Sequence, residues 1–211
     1  IGLVSLALFI IWERHRARVG RSALLDLSLF KHTSFSWGNV TAGTVAIGEF
    51  ALVFVLPLFL VNAMAMSVLE AGMVLSAMAA GAFVAGSQAR RLATRLSAAN
   101  VVLLGLALEV AGVVILALVI HPSLSPWLAT APLLVYGIGL GFASAQLTSL
   151  VLSEVPTAQS GQGSATQSTV RQLGAAIGAA VAGTLLSLGL GQTLDTGTRY
   201  DALTRTTGGS V

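Results

Sequence analysis

Glu49 and Glu109 each stand near the middle of an apolar run of about 20 residues, the length a helix needs to cross roughly 30 Å of hydrocarbon. A charge at that depth costs about 2.5 to 3.5 kcal/mol on insertion scales. A carboxyl placed there pairs with a cation, faces a wet cavity or keeps its proton. A group that loads and releases a proton as its surroundings alternate between wet and dry is what proton coupling requires, so both acids are candidates for that role. The structural alternative is a buried, protonated hydrogen-bond donor. Glu109 has Gly105 four residues before it and Gly112 three after it, on one helix face. That spacing predicts that it points into a close helix contact and away from lipid.

Three further polar residues could face a cargo. Gln146, with Ser144, Thr148 and Ser149 beside it, makes one end of its apolar run unusually polar. It is read as a cavity wall or as an interhelical hydrogen bond. Arg171 and Gln172 precede a smooth Gly/Ala stretch. Ser164, Gln167, Arg171, Gly174 and Gly178 recur at three- and four-residue steps, so one helical stripe changes from polar to small as it enters the bilayer. Arg171 either snorkels to headgroups or pairs with an acid or an anionic group of a substrate.

The elements that carry these residues follow from composition. Of 211 residues, 55% are hydrophobic and 9% charged, too few charges to cover a soluble globule. The fold class expected is an all-α polytopic membrane helix bundle with five complete spans. These run approximately from Phe35 to Val61, Ala71 to Ala89, Ala99 to Ile120, Trp127 to Leu152 and Leu173 to Leu190. Residues 1–12 read as the inner end of a truncated transmembrane helix, and 13–34 as a basic loop. Residues 35–190 read as the five-helix bundle, and 191–211 as a polar tail outside, leading to a missing span. The chain is expected to be a fragment.

The net charge of +3 and pI of about 10.2 report topology, not nucleic-acid binding. Five basic residues, Arg14, Arg16, Arg18, Arg21 and Lys31, occupy the first loop, and Arg90, Arg91 and Arg95 follow the second span. The alternate loops, Asn62 to Glu70 and His121 to Pro126, have none. By the positive-inside rule the first two sets face the cytoplasm. Arg199 and Arg205 in the tail run against this orientation.

Glycine sets the helix interfaces. Lipid gives no hydrophobic drive between helices, so small residues four apart let backbones approach for dispersion contact. Gly137 with Gly141 and Gly174 with Gly178 are such pairs, and Gly81 with Ala85 continues the pattern. No cysteine is present, the three histidines have no metal-binding spacing, and no phosphate-cradling or nucleophile motif occurs. Neither enzyme chemistry nor a metal or cofactor is expected.

Three stretches, LLDLSLFKHTSFSWGN (24–39), FVLPLFLVNAMAMSVLEAGMVLSAMAAG (54–81) and VPTAQSGQGSATQSTVRQLGAAIGAAVAGTLL (155–186), resemble the major facilitator superfamily, specifically its fourteen-span drug:proton antiporters. GSQARRLATRLSAAN (86–100) occupies the place of that family's cytoplasmic basic motif without its aspartate. The resemblance implies part of a C-terminal six-helix domain: the end of the eighth span, then the ninth to the thirteenth. It also implies an inner-membrane efflux transporter that exchanges protons for small amphipathic drugs by rocking against an N-terminal half. The partners expected are the bilayer, that half, protons and the cargo. A non-transporting membrane scaffold or sensor is the other class.

Overall fold

A computed structural model describes residues 11–12, 27–119 and 125–207, with 27–28, 126 and 189–207 as backbone only. The truncated helix expected over 1–12, most of the basic loop and the last residues of the tail lie outside the described residues. Five long helices account for most of the rest: α1 (Thr33–Asn62), α2 (Val68–Leu96), α3 (Ala98–Val119), α4 (Thr130–Val151) and α5 (Ser160–Thr207). Each contains a stretch long and apolar enough to cross a membrane. The described residues form an all-α, multi-pass bundle, as the composition requires.

Local sequence fixes where the helices start and stop. At the head of α2 the Ser67 hydroxyl accepts from the Glu70 backbone N–H at 3.3 Å, while the Glu70 carboxylate accepts from the Ser67 N–H at 2.9 Å. This reciprocal pair satisfies two amides that would otherwise lack partners. One residue, Ser97, separates α2 from α3, and its φ of 71° makes the reversal. Pro132 lies in the first turn of α4, where its missing N–H removes no intrahelical bond. In α5 the helical backbone continues past Leu190 to Thr207.

Successive helices alternate in direction. One end of the bundle, called here the basic end, carries Lys31, Arg90, Arg91 and Arg95. Helix α4 packs between α2, which runs parallel to it, and α3, which runs antiparallel. Helix α1 packs along α5 and touches α4 less extensively. Two apolar clusters close the bundle. Leu29, Phe35, Val102, Leu147 and Val151 meet near the basic end, and Leu56, Leu60, Val74, Leu116 and Leu133 near the other. The layer between them holds the acids and most of the close glycine contacts.

Candidate functional site: two acids on one cleft

The glycine contacts decide where the acids go. A methyl group built on Gly105 would stand 2.6 Å from the Ala143 amide nitrogen, and one on Gly112 2.7 Å from the Tyr136 Cβ. From the other side, one on Gly139 would stand 2.6 Å from the Glu109 amide nitrogen. Only hydrogens fit at these positions, so α3 and α4 meet backbone to backbone on both flanks of Glu109. The carboxyl is therefore drawn into the bundle, 9% exposed, as the Gly105–Glu109–Gly112 spacing predicts. One of its oxygens, Oε1, is buried without a hydrogen-bond partner.

A second glycine seam positions Glu49. On α5 a methyl on Gly174 would stand 2.5 Å from the Gly43 carbonyl oxygen, and Gly178 lies directly against the Ile47 carbonyl. This contact puts the polar-to-small stripe of α5 against α1 and brings Arg171 within reach of an acid on the neighbouring helix. The Arg171 guanidinium donates to the Glu49 carboxylate at 3.3 Å, with the side chains 34% and 16% exposed. Of the placements open to Arg171 in the sequence, headgroups, an acid or an anionic group of a substrate, the structure holds it on an acid. One helical turn before it, Gln167 is buried and donates to the Thr148 hydroxyl of α4 at 3.3 Å.

Between α1 and α3 lies a cleft of about 810 Å³ whose lining includes both Glu49 and Glu109. Tyr136 of α4, 3% exposed, also lines it, with Trp37, Thr41, Thr44 and Gly48 along α1 and Val110, Val113 and Val114 along α3. The walls are mostly apolar, and among the described residues that line them the two carboxylates are the only acidic groups. Chemically, the cleft can take an apolar body and offer negative charge or hydrogen-bond acceptors to it. Glu49 alone faces both ways, toward the cleft and toward Arg171.

Other residues singled out from sequence lie elsewhere. Gln146 is buried but lines a separate pocket at the basic end, away from both acids. Gln172 is exposed on α5 and lines neither pocket. Gly137 packs against the Met78 carbonyl and Gly141 against the Ala82 carbonyl, which joins α4 to α2. Sequence reasoning missed Tyr136, Trp37 and the Thr41, Thr44, Gly48 stripe. The small residues of that stripe, recurring at three- and four-residue steps just before Glu49, are a signal that could have found it.

Known proteins give the arrangement a context. A putative multidrug resistance protein, MdtD of Klebsiella pneumoniae, is 30% identical over 190 residues, which is 89% of this chain and 39% of that protein. The multidrug efflux pump LfrA of Mycolicibacterium smegmatis is 29% identical over 189 residues, 89% of this chain and 36% of the pump. The riboflavin transporter RibZ of Clostridioides difficile is 28% identical over 184 residues, 85% of this chain and 39% of the transporter. The chain thus spans well under half the length of these relatives. The family model described as Major Facilitator Superfamily matches residues 1–179. With that match laid over an antiparallel, glycine-seamed bundle of membrane-length helices, the chain belongs to the Major Facilitator Superfamily, a family of transporters and not of enzymes.

Proposed function

We propose that this chain works as part of a larger transporter that exports small amphipathic molecules in exchange for protons. One observation supports it above the others: two membrane-depth carboxylates, from α1 and α3, line a single apolar cleft, and one of them is tied to an arginine of a third helix. In this reading Glu49 and Glu109 carry protons, and Arg171 is the counter-ion that holds Glu49 when it is charged. Protonation of Glu49 removes the attraction, which loosens α1 from α5 and couples the proton to helix movement. The relatives named for multidrug efflux favour an exporter of amphipathic cargo, and the riboflavin transporter widens the range to larger polar rings. Binding sites in such transporters lie near the bilayer midplane between repeats, so an N-terminal half is needed to complete the path. The basic end faces the cytoplasm, and the bundle sits in a bacterial inner membrane.

The test uses the full-length transporter in inverted vesicles, with a fluorescent amphipathic cargo and an imposed proton gradient. Replacing both acids, Glu49→Gln with Glu109→Gln, is expected to abolish gradient-driven transport while leaving cargo exchange without a gradient. Gradient-driven transport at the unsubstituted rate, with equal protein in the membrane, would overturn the proposal.

A further inference from the structure

At the basic end, α2, α4 and the start of α3 surround a second pocket, of about 580 Å³. Its chemistry is opposite in sign to that of the acid-lined cleft. Arg90 of α2 lines it together with Gln146 and Ser149 of α4, and Ala98, the first residue of α3, closes one side. No acid is among its lining residues. Gln146 is the telling member. It is only 7% exposed, yet its carboxamide has no hydrogen-bond partner within the protein. Its carboxamide atoms are not among the fully buried ones that lack a partner, so the amide opens onto the pocket, where it can donate to and accept from a ligand.

The available donors define that ligand. The Thr94 hydroxyl is committed, since it donates to the Arg91 carbonyl at 2.7 Å. There remain the Arg90 guanidinium, the Gln146 amide, the Ser149 hydroxyl and the first two amides of α3 at the positive end of the helix dipole, the Asn100 N–H being capped by the Ser97 hydroxyl at 3.5 Å. Donors converge from three helices with one formal positive charge and no negative one. Such a set fits a compact anion rich in acceptor oxygens. The pocket opens beside the Ser97 turn, where the chain leaves the apolar layer, and Arg91 and Arg95 on the same helix end add to the local positive field. Basic pockets between membrane helices at this level hold lipid headgroups.

We infer that this pocket binds the phosphate of an anionic phospholipid, with Arg90 supplying the charge and Gln146 the buried hydrogen bond. The site is independent of the proton-coupling reading, because it shares no residue with the acid-lined cleft.

The experiment is native mass spectrometry of the full-length protein in neutral detergent, titrated with dioleoylphosphatidylglycerol and, separately, with dioleoylphosphatidylcholine. The anionic lipid is expected to bind preferentially. Arg90→Gln and Gln146→Leu should each weaken it by roughly tenfold, the fold-change of one charge-assisted or buried hydrogen bond. Gln146→Glu, which keeps the size and reverses the polarity of the site, should weaken it further. Arg91→Gln and Arg95→Gln, exposed like Arg90 but lining no part of the pocket, should change it by less than about twofold. Inorganic phosphate separates the sources of the anion: displacement of the lipid at millimolar phosphate supports a site read by phosphate alone, and resistance to it supports one that also needs the lipid body. Equal affinity for the two lipids, or equal losses in all the arginine variants, would overturn the inference and leave only a diffuse surface charge.

Discussion

Helix α4 is gripped along its length on two sides and α1 on one, apart from Gly38 against Val151 of α4 near the basic end, and the contrast separates what holds this bundle together from what it can work with. On α4, Gly137 and Gly141 meet backbone atoms of α2, while Gly139 meets backbone atoms of α3. On α1, Gly43 and Ile47 meet the glycines of α5, but the flank toward α3 is open and lined by Trp37, Thr41, Thr44 and Gly48. Gly48 itself has nothing within 4 Å of where a side chain would begin. The same residue type is a contact on one helix and a clearance on the other. Both acids line that clearance, where packing does not already fill the space.

Substitutions on each side would break or sharpen this contrast. Gly137→Leu attacks the gripped side, where the Met78 carbonyl cannot yield as a side-chain tip would. It is expected to cost about 3 kcal/mol, the upper end of overpacking, and to show as loss of monodisperse protein in detergent. On the open side, Arg171→Gln leaves the Glu49 carboxylate without its cation. It should cost about 1 to 3 kcal/mol, between an exposed and a fully buried pair. Thermal unfolding of Arg171→Gln, Glu49→Gln and the double variant forms a cycle in which the double variant recovers most of that loss. A purely additive result would mean that the pair contributes nothing to the α1–α5 contact. The turn joining the two sides, capped by Ser67 and Glu70, should lose about 1 kcal/mol in Ser67→Ala, as helix caps do. Smallest of all, Gly48→Ala should stay within about 0.5 kcal/mol of the unsubstituted protein, as substitutions outside packed contacts do. Gly112→Ala, facing Tyr136, should not. If the two glycines responded alike, the distinction between seam and clearance would fail.

Much of the architecture is legible in the sequence, because the bilayer fixes helix length and lipid removes any choice of solvent. The number of spans and the inward aim of Glu109 follow from periodicity alone, since Gly105 and Gly112 share its face whatever lies opposite. The glycine pairs are equally visible, but their partners are not. That Gly174 meets Gly43, or that Arg171 meets Glu49, is a relation between helices more than 100 residues apart, and no local pattern encodes it. Gln146 shows the limit differently. Its polar neighbours in sequence suggest a cavity wall or an interhelical hydrogen bond without saying which cavity, and the helix turns it toward α2 and the basic end. Proximity along the chain says how polar a turn is, not which neighbour it faces. The Ser67-x-x-Glu70 capping pattern, by contrast, is fully local, because both partners of each hydrogen bond lie within one helical turn.

The Glu49–Arg171 pair also has a consequence for how the protein is made. The two residues are 122 positions apart, so α1 enters the membrane well before its counter-charge has been synthesised. Of the five spans, the arginine-bearing one is the least apolar by hydropathy. On translocon scales an unpaired charge of either sign adds about 2.5 to 3.5 kcal/mol to insertion, so each of these helices is a poorer candidate alone than beside the other. Biogenesis therefore has a late step built into it. Until α5 arrives the Glu49 carboxyl of α1 lacks the arginine it pairs with here, and its least costly form in hydrocarbon is the protonated, neutral one.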